Sequence, residues 1–204
     1  MSSKSKLFVS VGAIVLTILS AAIAIAIVYA SKNVTIQSSV NIYYTASGDI
    51  SGTLAGYFKH SKGGTTGYQG LGSVELEDGS GSLDTTAIMN LQLSDEEDYV
   101  MFKFDFTNTD TKHAYTAVLI YEDNFTGGYS PDTNILISYG EDENTTSGNK
   151  TTTDYIDNKC DLGEIVVDEN TFTPQSYYVK IKLESDDDDA EFSGSFIWQI
   201  TLNN

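Results

Sequence analysis

Apolar positions along this chain follow two rules, and the change from one to the other falls near Lys32. From Leu7 to Ala30 apolar residues run on without a charge, with Lys4 and Lys6 just upstream. A run of that length matches the hydrocarbon core of a bilayer, which takes about 20 residues in a helix. One N-terminal apolar helix is therefore expected. Beyond Lys32 the period drops to two. The clearest case is "YVMFKFDFTN", where Val100, Phe102, Phe104 and Phe106 point one way and Met101, Lys103 and Asp105 the other. That alternation predicts a strand with one buried and one wet face.

The same signal recurs along the chain. "NVTIQSSVNIYYTA" predicts one or two strands, and "SGTLAGYF" and "SVELED" predict short ones. "YTAVLIYED", apolar on both faces, suits a central strand, and "NTDTKH" before it is a turn that would make it the hairpin partner of "YVMFKFDFTN". "NILISY", "GEIVVD", "YYVKIKLES" and "SFIWQITL" complete about nine strands of roughly 5–8 residues. Lys59–Ser73 and Gly140–Asp154 are Gly-, Ser- and Thr-rich and predict loops, as do Gly79-Ser80-Gly81 and the surroundings of Pro131 and Pro174. "TTAIMNLQL" is the one ambiguous segment. After the leader no window sustains helical spacing, so the expected fold is all-β: an antiparallel β-sandwich, jelly-roll or Ig-like, preceded by the apolar helix. Residues 1–30 form the leader and 31–204 one extracellular domain, with no linker to divide it.

The leader has two readings. Val28-x-Ala30 places small residues where a signal peptidase cuts, making Ala30 and Ser31 the candidate processing site. Left uncut, residues 7–30 would hold the chain in a membrane. Either way, Lys4 and Lys6 set against a strongly acidic remainder predict a cytoplasmic N-terminus and a domain outside the cell or on its surface.

Composition narrows the partners. The formal net charge is -18 over 204 residues, and all eleven basic residues are Lys. Without Arg there is no planar fork for phosphate, and with a pI of 4.1 the chain is a poor partner for nucleic acid. The 13 Tyr and 9 Phe suit pleated, half-buried surfaces. Eight of the tyrosines (43, 44, 57, 68, 129, 155, 177 and 178) raise the option of a sugar-stacking surface, against the plainer one of strand packing. Cys160 is the single cysteine, so no intramolecular disulfide is available, and a buried or loop thiol is expected.

No residue stands out as catalytic, and the chain is not expected to be an enzyme. His60 and His113 lack zinc-site spacing, and His60, beside Lys59 and Lys62, is expected to be exposed. Cys160 lies between acids, which dull a thiol, and no G-x-S-x-G occurs. Glu184, Asp186 to Asp189 and Glu191 crowd hard oxygen ligands, as Asp95 to Asp98 and Glu141 to Glu143 do on a smaller scale. Four consecutive Asp point in different directions, so the expectation is no dedicated cofactor or metal, with Ca²⁺ gathered only loosely by acidic loops. Asn-x-Ser/Thr triplets at Asn33, Asn124, Asn144 and Asn149 are glycan acceptors in a host that adds them.

A basic n-region, a leader ending in "VYA", the segment "SKNVTIQSSVNIYYTA", the strand end at Phe104, Phe106, Asn108 and Thr109, and a final "SGSFIWQITL" together resemble the secreted TasA/camelysin-type surface and biofilm-matrix proteins and related archaeal bundling pili. The resemblance implies a jelly-roll-like sandwich that accepts an N-terminal strand from a neighbouring subunit. It also implies self-association into surface filaments or matrix. The donor strand would then lie within Asn33–Thr45, with Val34, Ile36, Val40 and Ile42 as its apolar positions. Two alternatives stand beside it: a membrane-anchored module for glycans or a protein partner, and a pilin- or archaellin-like subunit with its helix in a filament core.

Overall fold

The strand alternation around Phe102 to Phe106 finds its partner rings in a different sheet, and that pairing organises the domain. A computed structural model describes residues 34–36, 40–61, 67–83, 85, 91–93, 98–123, 135–144, 159–183, 190–192 and 194–203. The expected leader helix, its processing site at Ala30 and Ser31, and the loop centred on Asn149 lie outside the described residues. Among the described residues no helix is long and apolar enough to cross a membrane.

Thirteen strands are described: β1 (Val34–Ile36), β2 (Asn41–Ser47), β3 (Gly52–His60), β4 (Gln69–Leu76), β5 (Gly79–Leu83), β6 (Leu91–Leu93), β7 (Tyr99–Asn108), β8 (Tyr115–Asp123), β9 (Ile135–Gly140), β10 (Lys159–Val167), β11 (Thr171–Leu183), β12 (Ala190–Phe192) and β13 (Gly194–Leu202). They form a first five-stranded sheet in the order β10-β8-β13-β2-β5 and a second in the order β4-β3-β7-β11-β9. Three short strands make a small sheet, β12-β1-β6. The domain is thus all-β with two mostly antiparallel main sheets. Two pairings are parallel, β13 with β2 and β1 with β12.

The two main sheets meet through aromatic rings. Phe102, Phe104 and Phe106 on β7 face Phe196 and Trp198 on β13, with centroids 4.8–5.5 Å apart. Tyr177 on β11 reaches Trp198 edge-on at 5.4 Å. These separations and tilts suit the ring quadrupoles. All of these residues are buried, together with Leu54, Leu119, Leu162, Val179 and Ile181. Period-two alternation sends one face of the main-sheet strands into this core, and a sandwich-like arrangement of the sheets follows.

Several expectations are corrected. "YTAVLIYED" (β8) is not the hairpin partner of β7: it pairs with β10 and β13 in the first sheet, while β7 pairs with β3 and β11 in the second. "NTDTKH" is a corner between sheets. Asn108, fully buried, donates to the carbonyl of His113 at 2.8 Å, and Tyr115 donates to the carbonyl of Thr107 at 2.9 Å. Gly79-Ser80-Gly81 is no turn but the start of edge strand β5, whose Gly81 leaves room for the Tyr44 ring. The expected loop Lys59–Ser73 surrenders its ends to β3 and β4. Pro174 lies within β11, where the register with β7 shifts between Thr171 and Gln175. A bulge is one of the few places in a sheet that tolerates a residue without an N–H.

Candidate lysine–tyrosine face

In the second sheet the strand positions that do not enter the core form an outer lattice. Inward Leu54 and Phe58 leave Ala55, Tyr57 and Lys59 outward on β3, and inward Tyr177, Val179 and Ile181 leave Ser176, Tyr178, Lys180 and Lys182 outward on β11. Cross-strand register then sets the rows. Lys59 lies opposite Met101, and Met101 opposite Lys180. Tyr57 lies opposite Lys103, and Lys103 opposite Tyr178. Tyr99 lies opposite Lys182. Lysines and tyrosines therefore alternate along and across the strands, within reach of diagonal contact.

The contacts realise that pattern. Lys59 Nζ lies over Tyr68 at 5.5 Å and over Tyr99 at 6.0 Å from the ring centroids. Lys103 lies over Tyr57 at 5.2 Å and Tyr68 at 5.8 Å, and Lys180 over Tyr99 at 5.0 Å. Each distance is inside the range where ring quadrupoles attract an ammonium group. The Tyr68 hydroxyl donates to the Met101 sulfur at 3.0 Å. Met101 is consequently buried although it faces outward, and Asp105 is nearly so, which corrects the expectation of a wet face on β7.

Two carboxylates belong to the face. Asp105 accepts from Lys103 at 2.9 Å and from the Ser176 hydroxyl at 2.6 Å. Glu143, in the turn after β9, accepts from Lys59 at 2.9 Å. That hydrogen bond draws the Glu143 carboxyl below the ordinary glutamate range, although burial opposes it. Burial, then the charge of Glu143, raises the Tyr68 phenol. Lys180 moves the other way: burial, and then its neighbour Lys182, lower its ammonium. Neither Lys180 nor Lys182 has a carboxylate within ion-pair distance among the described residues. Four of the six described lysines thus gather on one face, against two carboxylates. Chemically the face offers N–H and O–H donors and positive charge.

The other candidate residues are dispersed. Val40 and Ile42 are buried, Ile42 within β2, which is paired on both sides, by β13 and β5. Val34 and Ile36 lie on β1 in the small sheet. Tyr44 and Tyr177 are core residues, so they belong to no sugar-stacking surface, whereas Tyr43 is exposed. Tyr129 and Tyr155 lie outside the described residues. His60 closes β3 and is buried rather than exposed, because its position in the strand points to the core. Cys160 is buried on β10. Among the described residues no three His, Cys, Asp or Glu side chains are grouped to hold a metal. The run Asp186 to Asp189 lies outside them. The lysine–tyrosine face itself was missed in the sequence, where its residues are scattered from Tyr57 to Lys182. The alternating Lys in "FKF" and "VKIKL" was the one available signal.

Fold and face define an acidic, two-sheet β-domain with a cationic aromatic surface. No protein-family model matches the chain, and no curated protein matches it significantly.

Proposed function

We propose that this chain is an exported cell-surface structural protein of the TasA/camelysin type, a filament or matrix subunit that assembles by exchanging its N-terminal strand. In this reading the domain is a jelly-roll-like sandwich standing outside the cell, delivered by residues 1–30. The basic start of the chain and the acidic remainder support that orientation.

The observation that carries the proposal is the position of β1. It precedes two main sheets in which it takes no part, and it is the middle strand between β6 and β12. Three register pairs tie it to each neighbour, and both neighbours come from distant parts of the chain. A slot bounded by two strand edges accepts an equivalent strand from another copy with the same backbone hydrogen bonds. Exchange centred on Val34 and Ile36 leaves the main sheets closed. Exchange reaching Ile42 would separate β13 from β5. The donor segment is therefore assigned to β1, with β2 kept at home.

Replacing Val34 and Ile36 by Pro removes two backbone donors from that strand. The variant is expected to lose assembly, seen by electron microscopy of the surface material, while keeping the near-UV circular dichroism of the domain. Undiminished polymers would sink the strand-exchange reading. N-terminal sequencing of protein from cells is expected to begin at Ser31. A chain beginning at Met1 or Ser2 would instead favour the anchored binding module, for which the lysine–tyrosine face is the specific support.

A further inference from the structure

The rings of Tyr57, Tyr68 and Tyr99 are poor platforms for a sugar, because ammonium groups lie over them. What reaches solvent is a set of positive N–H donors held on rings. Such a surface selects an anion, and lysine selects it as a point charge rather than through a fork. The face already holds one carboxylate from an acidic run, since Glu143 of Glu141-Asp142-Glu143 docks on Lys59. Lys180 and Lys182 sit beside that contact without a carboxylate of their own among the described residues. They stand two residues apart on the same half-buried face of β11, so one incoming carboxylate-rich segment meets both.

We infer that this face docks a carboxylate-rich segment of a second copy of the chain, with Lys180 and Lys182 as its anchoring charges. Charge complementarity names the occupant. The chain carries -18 overall, so a cationic face on it is matched by almost any other part of a neighbouring copy, and most densely by Asp186 to Asp189. The inference deepens the self-association reading, but it uses a different surface from β1. Strand exchange would link copies along a filament, and this contact would bind them side to side. Because the lysines are partly solvated, the contact is salt-sensitive.

Carbodiimide coupling of full-length protein in detergent, as an equal mixture of light and heavy nitrogen-labelled chains, reads the contact directly. The expected product is a mixed-isotope crosslink from Lys180 or Lys182 to a peptide containing Asp186 to Asp189. A synthetic Glu184–Phe192 peptide serves as the second probe. Its affinity is expected to fall about tenfold in Lys180→Gln/Lys182→Gln, to persist in Lys180→Arg/Lys182→Arg, and to be unchanged in Lys112→Gln/Lys159→Gln. The same titration on the Val34→Pro/Ile36→Pro variant separates the two surfaces: retained peptide binding there leaves this inference standing even if strand exchange fails. Equal peptide affinity for wild type and Lys180→Gln/Lys182→Gln would overturn it. So would mixed-isotope crosslinks that avoid both lysines, or binding of polygalacturonate at this face without binding of the peptide.

Discussion

At Gly81 the room for one methyl group decides whether β5 can lie on β2. A Cβ there would stand 2.8 Å from Tyr44 Cζ and 2.9 Å from its hydroxyl oxygen, inside van der Waals contact. Tyr44 cannot give way easily, since it is buried and donates to the carbonyl of Glu75 at 3.2 Å. Gly81→Ala is expected to cost about 1–3 kcal/mol in urea unfolding, as overpacking does. Asn108 matters for a polar reason. Its side chain donates to the His113 carbonyl and accepts from the Asp110 N–H, with no solvent to replace either. Asn108→Ala should cost about 1–3 kcal/mol by the same measurement. Neither residue announced itself in the sequence. Gly81 looked like a turn and Asn108 like a strand end opening a turn, because each owes its role to a ring or carbonyl that arrives from elsewhere in the chain. Phe102, Phe104 and Phe106 were legible, since their burial follows from local period alone.

Strands were easier to find than their partners, for a physical reason visible in the topology. Among the described residues, β3 and β4 are the only sequence neighbours that pair. From β7 to β11 each strand crosses to the opposite sheet, so short polar turns that resemble hairpins are corners. The central strand β13 is the last in the chain, and it pairs with β2 in parallel over seven register positions. Loss of Gly194–Leu202 would therefore split the first sheet, and a chain ending before Gly194 is expected to show no cooperative thermal transition. On the outer face the Lys59–Glu143 contact links β3 to the turn after β9. Glu143 has its carboxyl drawn down in the folded state, so whatever stability the contact gives is present above the ordinary glutamate value, about 4.3, and is lost as pH falls through the lowered one. Glu143→Gln should lower the melting temperature slightly at neutral pH and not at all well below pH 4, by calorimetry. A larger deficit in acid would refute the linkage.

Over the whole molecule, long-range pairing and charge act together. A two-sheet fold with so few local pairings has to close long loops before any strand is satisfied, and refolding on the order of milliseconds to seconds is expected in stopped-flow fluorescence of Trp198. A net charge of -18 keeps copies apart in dilute solution, so assembly needs specific contacts. The proposed assembly draws on two: β1, which lies between β6 and β12, and the lysine–tyrosine face. The all-β class could be read from the sequence. The site could not, because its lysines and tyrosines become neighbours only through the register of β3, β7 and β11. The most direct test of strand exchange is electron microscopy of the protein taken from cells beside its Val34→Pro/Ile36→Pro variant at equal concentration and with matched circular dichroism. The account predicts filaments from the first and dispersed, folded subunits from the second; filaments of equal length from both, or from neither, would contradict it.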